Sequence, residues 1–93
     1  MLKIESISII ENYKILCFFN NGKKRIFDLE QSLDLTNKYV KKILTPQIFS
    51  KVTIGKFGEI KWDDEGEIKD YDGTILSCEY DISPEFVYQN SHD

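Results

Sequence analysis

The segment from Asp63 to Gly73 carries six carboxylates, Asp63, Asp64, Glu65, Glu67, Asp70 and Asp72, in eleven residues. Such a density is where a hard cation or a basic partner would be sought. Set with Gly73 at the sixth position of a calcium-binding EF-hand loop, Asp70 falls at the third, Asp72 at the fifth, Ile75 at the eighth and Glu79 at the twelfth. The first position is then Ile68, which has no ligand atom, and Glu59 to Trp62 reads as a strand where the motif needs a helix. The acidic stretch is therefore expected to be a solvated loop, with room only for weak cation binding and with a short strand at most around Ile68.

General acid–base chemistry needs a carboxylate or imidazole held away from water. The loop carboxylates are expected to be wet, and His92, the sole histidine, is one residue from the end of the sequence. Cys17 and Cys78 lie 61 residues apart, with no CxxC spacing and no clustered histidine, so neither a metal site nor a Cys-His pair is indicated. Cys17, inside Ile15-Leu16-Cys17-Phe18-Phe19, is expected to be a buried free thiol. Gly22, Gly55, Gly58, Gly66 and Gly73 make no phosphate-binding fingerprint, and no serine sits in a G-x-S-x-G elbow. The expectation is a protein without catalytic residues or cofactor.

Cations gather elsewhere, as Lys23, Lys24 and Arg25 and as Lys38, Lys41 and Lys42. They are the candidate nucleic-acid contacts. The nearby aromatics Phe27 and Tyr39 lie at core-facing spacing, however, and the formal charge is −4, so nucleic acid is not the expected partner. Charge is also divided along the chain. Residues 1–55 hold nine Lys/Arg against five Asp/Glu, and residues 56–93 hold three against eleven. The halves either neutralise each other on folding or leave an acidic surface for a basic protein, with Asp63, Asp64, Glu65, Glu67, Asp70 and Asp72 as its contacts.

These groups are positioned by elements that the pattern defines. Isoleucines 4, 7, 9 and 10 mark a strand over about 3–11, and residues 13–19 a second, with Ile15, Cys17 and Phe19 on one face and Leu16 and Phe18 on the other. Asn21-Gly22 predicts a type I′ hairpin returning over 23–29. Leu35, Tyr39, Val40, Ile43 and Leu44 form a helical stripe over 35–44, capped by Asp34 or Thr36. Thr45-Pro46 opens a short helical turn over 46–50, a second strand pair covers about 51–62, and Ile75–Tyr80 is extended. Ser83-Pro84 caps a terminal turn over 84–88, and 89–93 is a frayed tail. This is one α+β domain over 1–93, with Ile60 and Trp62 turned inward. With no signal peptide and no apolar stretch near 18 residues, cytoplasm is the expected location, without membrane contact. The exposed edge Lys3–Glu11 offers a route to pairing across a homodimer.

The blocks Phe18-Phe19-Asn20-Asn21-Gly22-Lys23-Lys24-Arg25-Ile26-Phe27-Asp28-Leu29, Leu44-Thr45-Pro46-Gln47-Ile48-Phe49-Ser50-Lys51-Val52, Gly58-Glu59-Ile60-Lys61-Trp62 and Pro84-Glu85-Phe86-Val87-Tyr88 stand in one order. In that order they resemble the bacterial family catalogued as domain of unknown function 2442, over about residues 4–88. The chain departs from that family's pattern after Trp62, where Asp63 to Asp81 is longer. The resemblance implies an α+β fold and brings no catalytic residue or cofactor. It also implies the company of a helix-turn-helix domain or a small neighbouring partner, in an arrangement like a toxin–antitoxin pair. The expected function is a non-catalytic protein-interaction module, with an antitoxin-like partner role or weak nucleic-acid binding as alternatives.

Overall fold

The computed structural model describes residues 1–69, 72, 73 and 75–93, and the side chains of these apart from 67–69 and 75–77. Three antiparallel strands open the chain: β1 (Ile4–Glu11), β2 (Lys14–Phe19) and β3 (Lys24–Asp28), in the order β1-β2-β3. The meander is the one the isoleucine and aromatic alternation predicts. Its hairpin differs in detail. Gly22 (φ 85°) has a positive φ and Asn21 does not. Phe19 N–H donates to the Lys23 carbonyl at 2.8 Å, which makes Asn20-Asn21-Gly22 a three-residue loop with glycine in the left-handed position.

Short helices α1 (Leu29–Ser32), α2 (Lys38–Ile43) and α3 (Pro46–Phe49) follow. The helix expected over 35–44 starts three residues later. Asn37 Oδ1 accepts the Tyr39 and Val40 N–H groups at 2.8 and 3.3 Å, whereas Asp34 Oδ1 is held by Thr36 N–H and Oγ1–H at 3.0 and 2.6 Å. Asn37 is therefore the cap. That bonding with Thr36 also lowers the Asp34 carboxyl below its ordinary value.

A second sheet has the order β4 (Thr53–Ile54), β5 (Ile60–Lys69), β6 (Ile75–Ile82). Here the structure corrects the expectation of a strand pair followed by an acidic loop. β5 runs on through the acidic residues to Lys69. Trp62 pairs with Tyr80 and the next pairing is Gly66 with Cys78, so Asp63, Asp64 and Glu65 bulge opposite a single residue, Glu79. A wide bulge absorbs the carboxylates, and ladder pairing on both sides overrides their poor strand propensity. Asp64 takes the left-handed backbone (φ 63°) within it.

The chain closes with α4 (Pro84–Asn90), capped by Ser83 Oγ, which accepts the Phe86 N–H at 3.2 Å. Residues 89–93 are not a frayed tail. α4 runs to Asn90, Ser91 is buried, and His92 exchanges two main-chain hydrogen bonds with Ile26, covering the outer edge of β3. Arg25 secures this segment through Ser91 and Asp93.

Between the sheets lies one core of Ile4, Ile15, Cys17, Phe19, Phe27, Leu29, Ile43, Phe49, Ile60, Trp62, Ile82 and Val87. Trp62 is completely buried and its Nε1–H donates to the Phe49 carbonyl at 3.2 Å. The sheets are tied where Ile4 N–H donates to the Gly58 carbonyl at 3.0 Å.

Candidate functional site

Strand alternation sorts the residues of the second sheet into two faces. Ile60, Trp62 and Ile82 are buried in the core and Tyr80 is half-buried against Trp62, 6.2 Å between ring centroids. Lys61 and Asp63 on β5 and Glu79 and Asp81 on β6 point outward, and the half-buried Glu59 stands just before β5 with its Oε1 accepting the Phe57 N–H at 3.0 Å. Lys61 and Asp81 are direct cross-strand partners. Carboxylate oxygens of Glu59, Glu79 and Asp81 lie within 4.8 Å of one another. Lys61 Nζ donates to Asp63 Oδ1 at 2.6 Å. That hydrogen bond, then the negative charges of Asp63, Glu79 and Glu59, raise the lysine's pKa above its ordinary value. The outer face thus holds four carboxylates around one ammonium. A surface depression beside it, of about 250 Å³, is floored by Leu2 and Pro84 and rimmed by Met1, Phe57, Glu59 and Glu85.

The acidic residues singled out from the sequence are dispersed by the bulge. Asp63 belongs to this face, and Asp64 is exposed at the bulge. Glu65 turns toward α2 instead, its carboxylate 3.8 Å from Lys42 Nζ and its side chain 19% exposed. Asp72 is exposed. Asp70, and the side chain of Glu67, lie outside the described residues. Glu59 and Asp81 were not among the sequence candidates, and Glu79 entered only as the twelfth position of the EF-hand alignment. The signal for them was the alternation Glu79-Tyr80-Asp81-Ile82, which matches Glu59-Ile60-Lys61-Trp62 across the ladder. The EF-hand alignment has no structural counterpart, since Ile68 lies on β5 and Glu79 on β6, with a strand on each side where the motif has helices.

The cations are divided as well. Lys24 lies opposite Phe18 on the solvent face of the first sheet, while Arg25 lies opposite the buried Cys17 on the other face. Arg25 Nε donates to Ser91 Oγ at 2.8 Å, its other nitrogens reach the Ser91 carbonyl and Asp93, and its guanidinium lies 4.9 Å from the Tyr88 ring centroid. Lys38 lies over the Tyr39 ring, Lys41 is exposed and Lys42 faces Glu65. Among the described residues, the ion pairs Arg25–Asp93 and Lys42–Glu65 join the basic first half of the chain to the acidic second half.

The nucleophilic candidates are separated in the same way. Cys17 is fully buried, and burial pushes its thiol up to about 12. Cys78 is half-buried, and the two thiols are free. His92 is exposed at the edge of β3 with Nδ1 3.1 Å from the Asp93 carbonyl.

Two three-stranded antiparallel sheets joined by short helices over a single core define a small α+β protein, and no helix among the described residues is long and apolar enough to cross a membrane. The chain belongs to the DUF2442 family, a protein family of unknown function, whose model matches residues 4–93. No curated protein and no solved structure matches the chain.

Proposed function

We propose that this protein is a non-catalytic interaction module that binds a basic protein partner in the cytoplasm. The observation carrying this reading is the outer face of the second sheet, where Glu59, Asp63, Glu79 and Asp81 lie around Lys61. Carboxylates gathered at the bulge and the end of this ladder offer a field to arginine or lysine side chains, which steers association more than it anchors it. Met1 and Phe57, 93% and 59% exposed beside that face, add apolar area of the kind a protein partner buries. A partner encoded next to this chain, as in an antitoxin-like pair, fits the same surface.

The test is capture of partners by wild type and by a Glu59→Lys/Glu79→Lys/Asp81→Lys variant, at low and high salt. A stoichiometric basic protein that is held by wild type, released by salt and lost by the variant supports the reading. Equal capture by the two chains, or capture of nucleic acid instead, sinks it.

A further inference from the structure

The solvent face of the first sheet has the opposite character. Cross-strand pairing places Leu16 opposite Ile26 and Phe18 opposite Lys24, with the small side chains of Ser8 and Ser6 beside them on β1. Among the described residues, no helix covers this face. Phe18 is 38% exposed, and Leu16 and Ile26 are half-buried. A depression of about 430 Å³ opens over Leu16 and Ile26, with Lys23, Lys24 and Asp93 on its rim.

Glu11 is 3.4 Å from Lys14, Asp28 accepts the Gln31 N–H as the cap of α1, and Asp93 is 3.3 Å from Arg25. These three carboxylates are engaged by groups of the protein itself, while Glu5, exposed beside Ser6 on β1, has no ion pair among the described residues. Lys23 and Lys24 are exposed and have no ion-pair partner among the described residues. What remains is an apolar strip with two exposed ammonium groups at one end that form no ion pair among the described residues.

From this geometry we infer a second docking surface, for an acidic protein segment that carries large apolar side chains. The apolar side chains lie on Leu16, Phe18 and Ile26, and the carboxylates meet Lys23 and Lys24. Two aliphatic side chains and a single aromatic make a floor for apolar side chains rather than a stacking platform for bases, which needs successive aromatic rings. The surface is separate from the acidic face of the second sheet and does not depend on its role. Together the two would let the chain bridge partners of opposite charge.

The experiment uses the full chain and a fluorescein-labelled nine-residue peptide of alternating glutamate and leucine, followed by anisotropy at low salt, with amide chemical shifts to locate the contact. Saturable binding is expected, with shifts centred on residues 16, 18, 24 and 26. A Lys23→Glu/Lys24→Glu variant, and separately Phe18→Ser, should each weaken it at least tenfold while leaving the circular dichroism spectrum unchanged. The Glu59→Lys/Glu79→Lys/Asp81→Lys variant should bind the peptide as wild type does. Absent binding, equal binding of a lysine-leucine or glutamate-serine peptide, shifts located elsewhere, or tighter binding of a fifteen-residue oligo(dT) would each overturn the assignment.

Discussion

Trp62 and Phe49 are joined by a hydrogen bond that links the second sheet to the helices: the indole Nε1–H of β5 meets the last carbonyl of α3 at 3.2 Å, inside the core. Both side chains are fully buried. Trp62→Phe keeps most of the ring volume and leaves that carbonyl with only the Val52 N–H, 3.2 Å away, so the loss of one of its two hydrogen bonds should cost about 0.5–1.5 kcal/mol. Trp62→Ala adds a cavity and should cost about 3–5 kcal/mol. Urea unfolding followed by circular dichroism checks the order of the two; equal midpoints for wild type and Trp62→Phe would mean that the bond contributes nothing.

Gly58 and Gly22 both have positive φ, 79° and 85°, yet they predict different costs. A Cβ at Gly22 meets nothing within 4 Å, so Gly22→Ala should show only left-handed backbone strain, about 1 kcal/mol. A Cβ at Gly58 collides with the Lys3 side chain and comes to 2.7 Å from its Cα, in the turn that ties the second sheet to β1. Gly58→Ala should therefore lower the thermal midpoint by clearly more than Gly22→Ala. Matching midpoints would deny the close approach.

The Cys17 thiol holds its proton up to about 12 when folded, above its ordinary value of 9.0. The unfolded chain ionises first as pH rises, so this group's contribution is complete below pH 9 and is lost between there and 12. The limiting slope is about 1.4 kcal/mol per pH unit. Cys17→Ala should flatten the alkaline arm of a stability–pH profile relative to wild type. In the native chain at pH 8, a thiol reagent should modify Cys78 well before Cys17; simultaneous reaction would contradict the burial.

Asn37→Ala should destabilise by about 1 kcal/mol, because its side chain satisfies two N–H groups at the start of α2. Thr36→Ala, which disturbs only the local Asp34 turn, should cost less. Denaturant midpoints for the pair decide which residue caps the helix.

The parts of the fold legible from sequence are those written in periodicity. Ile15, Cys17 and Phe19 alternate with Leu16 and Phe18, and the structure buries the first set and leaves Phe18 exposed. Where composition misled, a long-range pairing decided. Asp63–Glu65 look like loop residues, yet the ladder of β5 with β6 closes on both sides of them. The residues after Asn90 looked loose because nothing local holds them; their partners, Arg25 and Ile26, are more than sixty positions away. The candidate surface followed the same division. Asp63 was visible as a charge, whereas Glu59, Glu79 and Asp81 come together only through the register Lys61–Asp81, which neighbours in sequence do not encode.

His92 occupying the edge of β3 makes the first sheet one-sided. A strand added to that sheet has to arrive at β1, where Ile4 is tied to Gly58 and the run from Ser6 to Ile9 lies between two register shifts. Two copies meeting through their β1 strands would each present a shut side outward, so association along the first sheet terminates at a pair and cannot propagate into a ribbon.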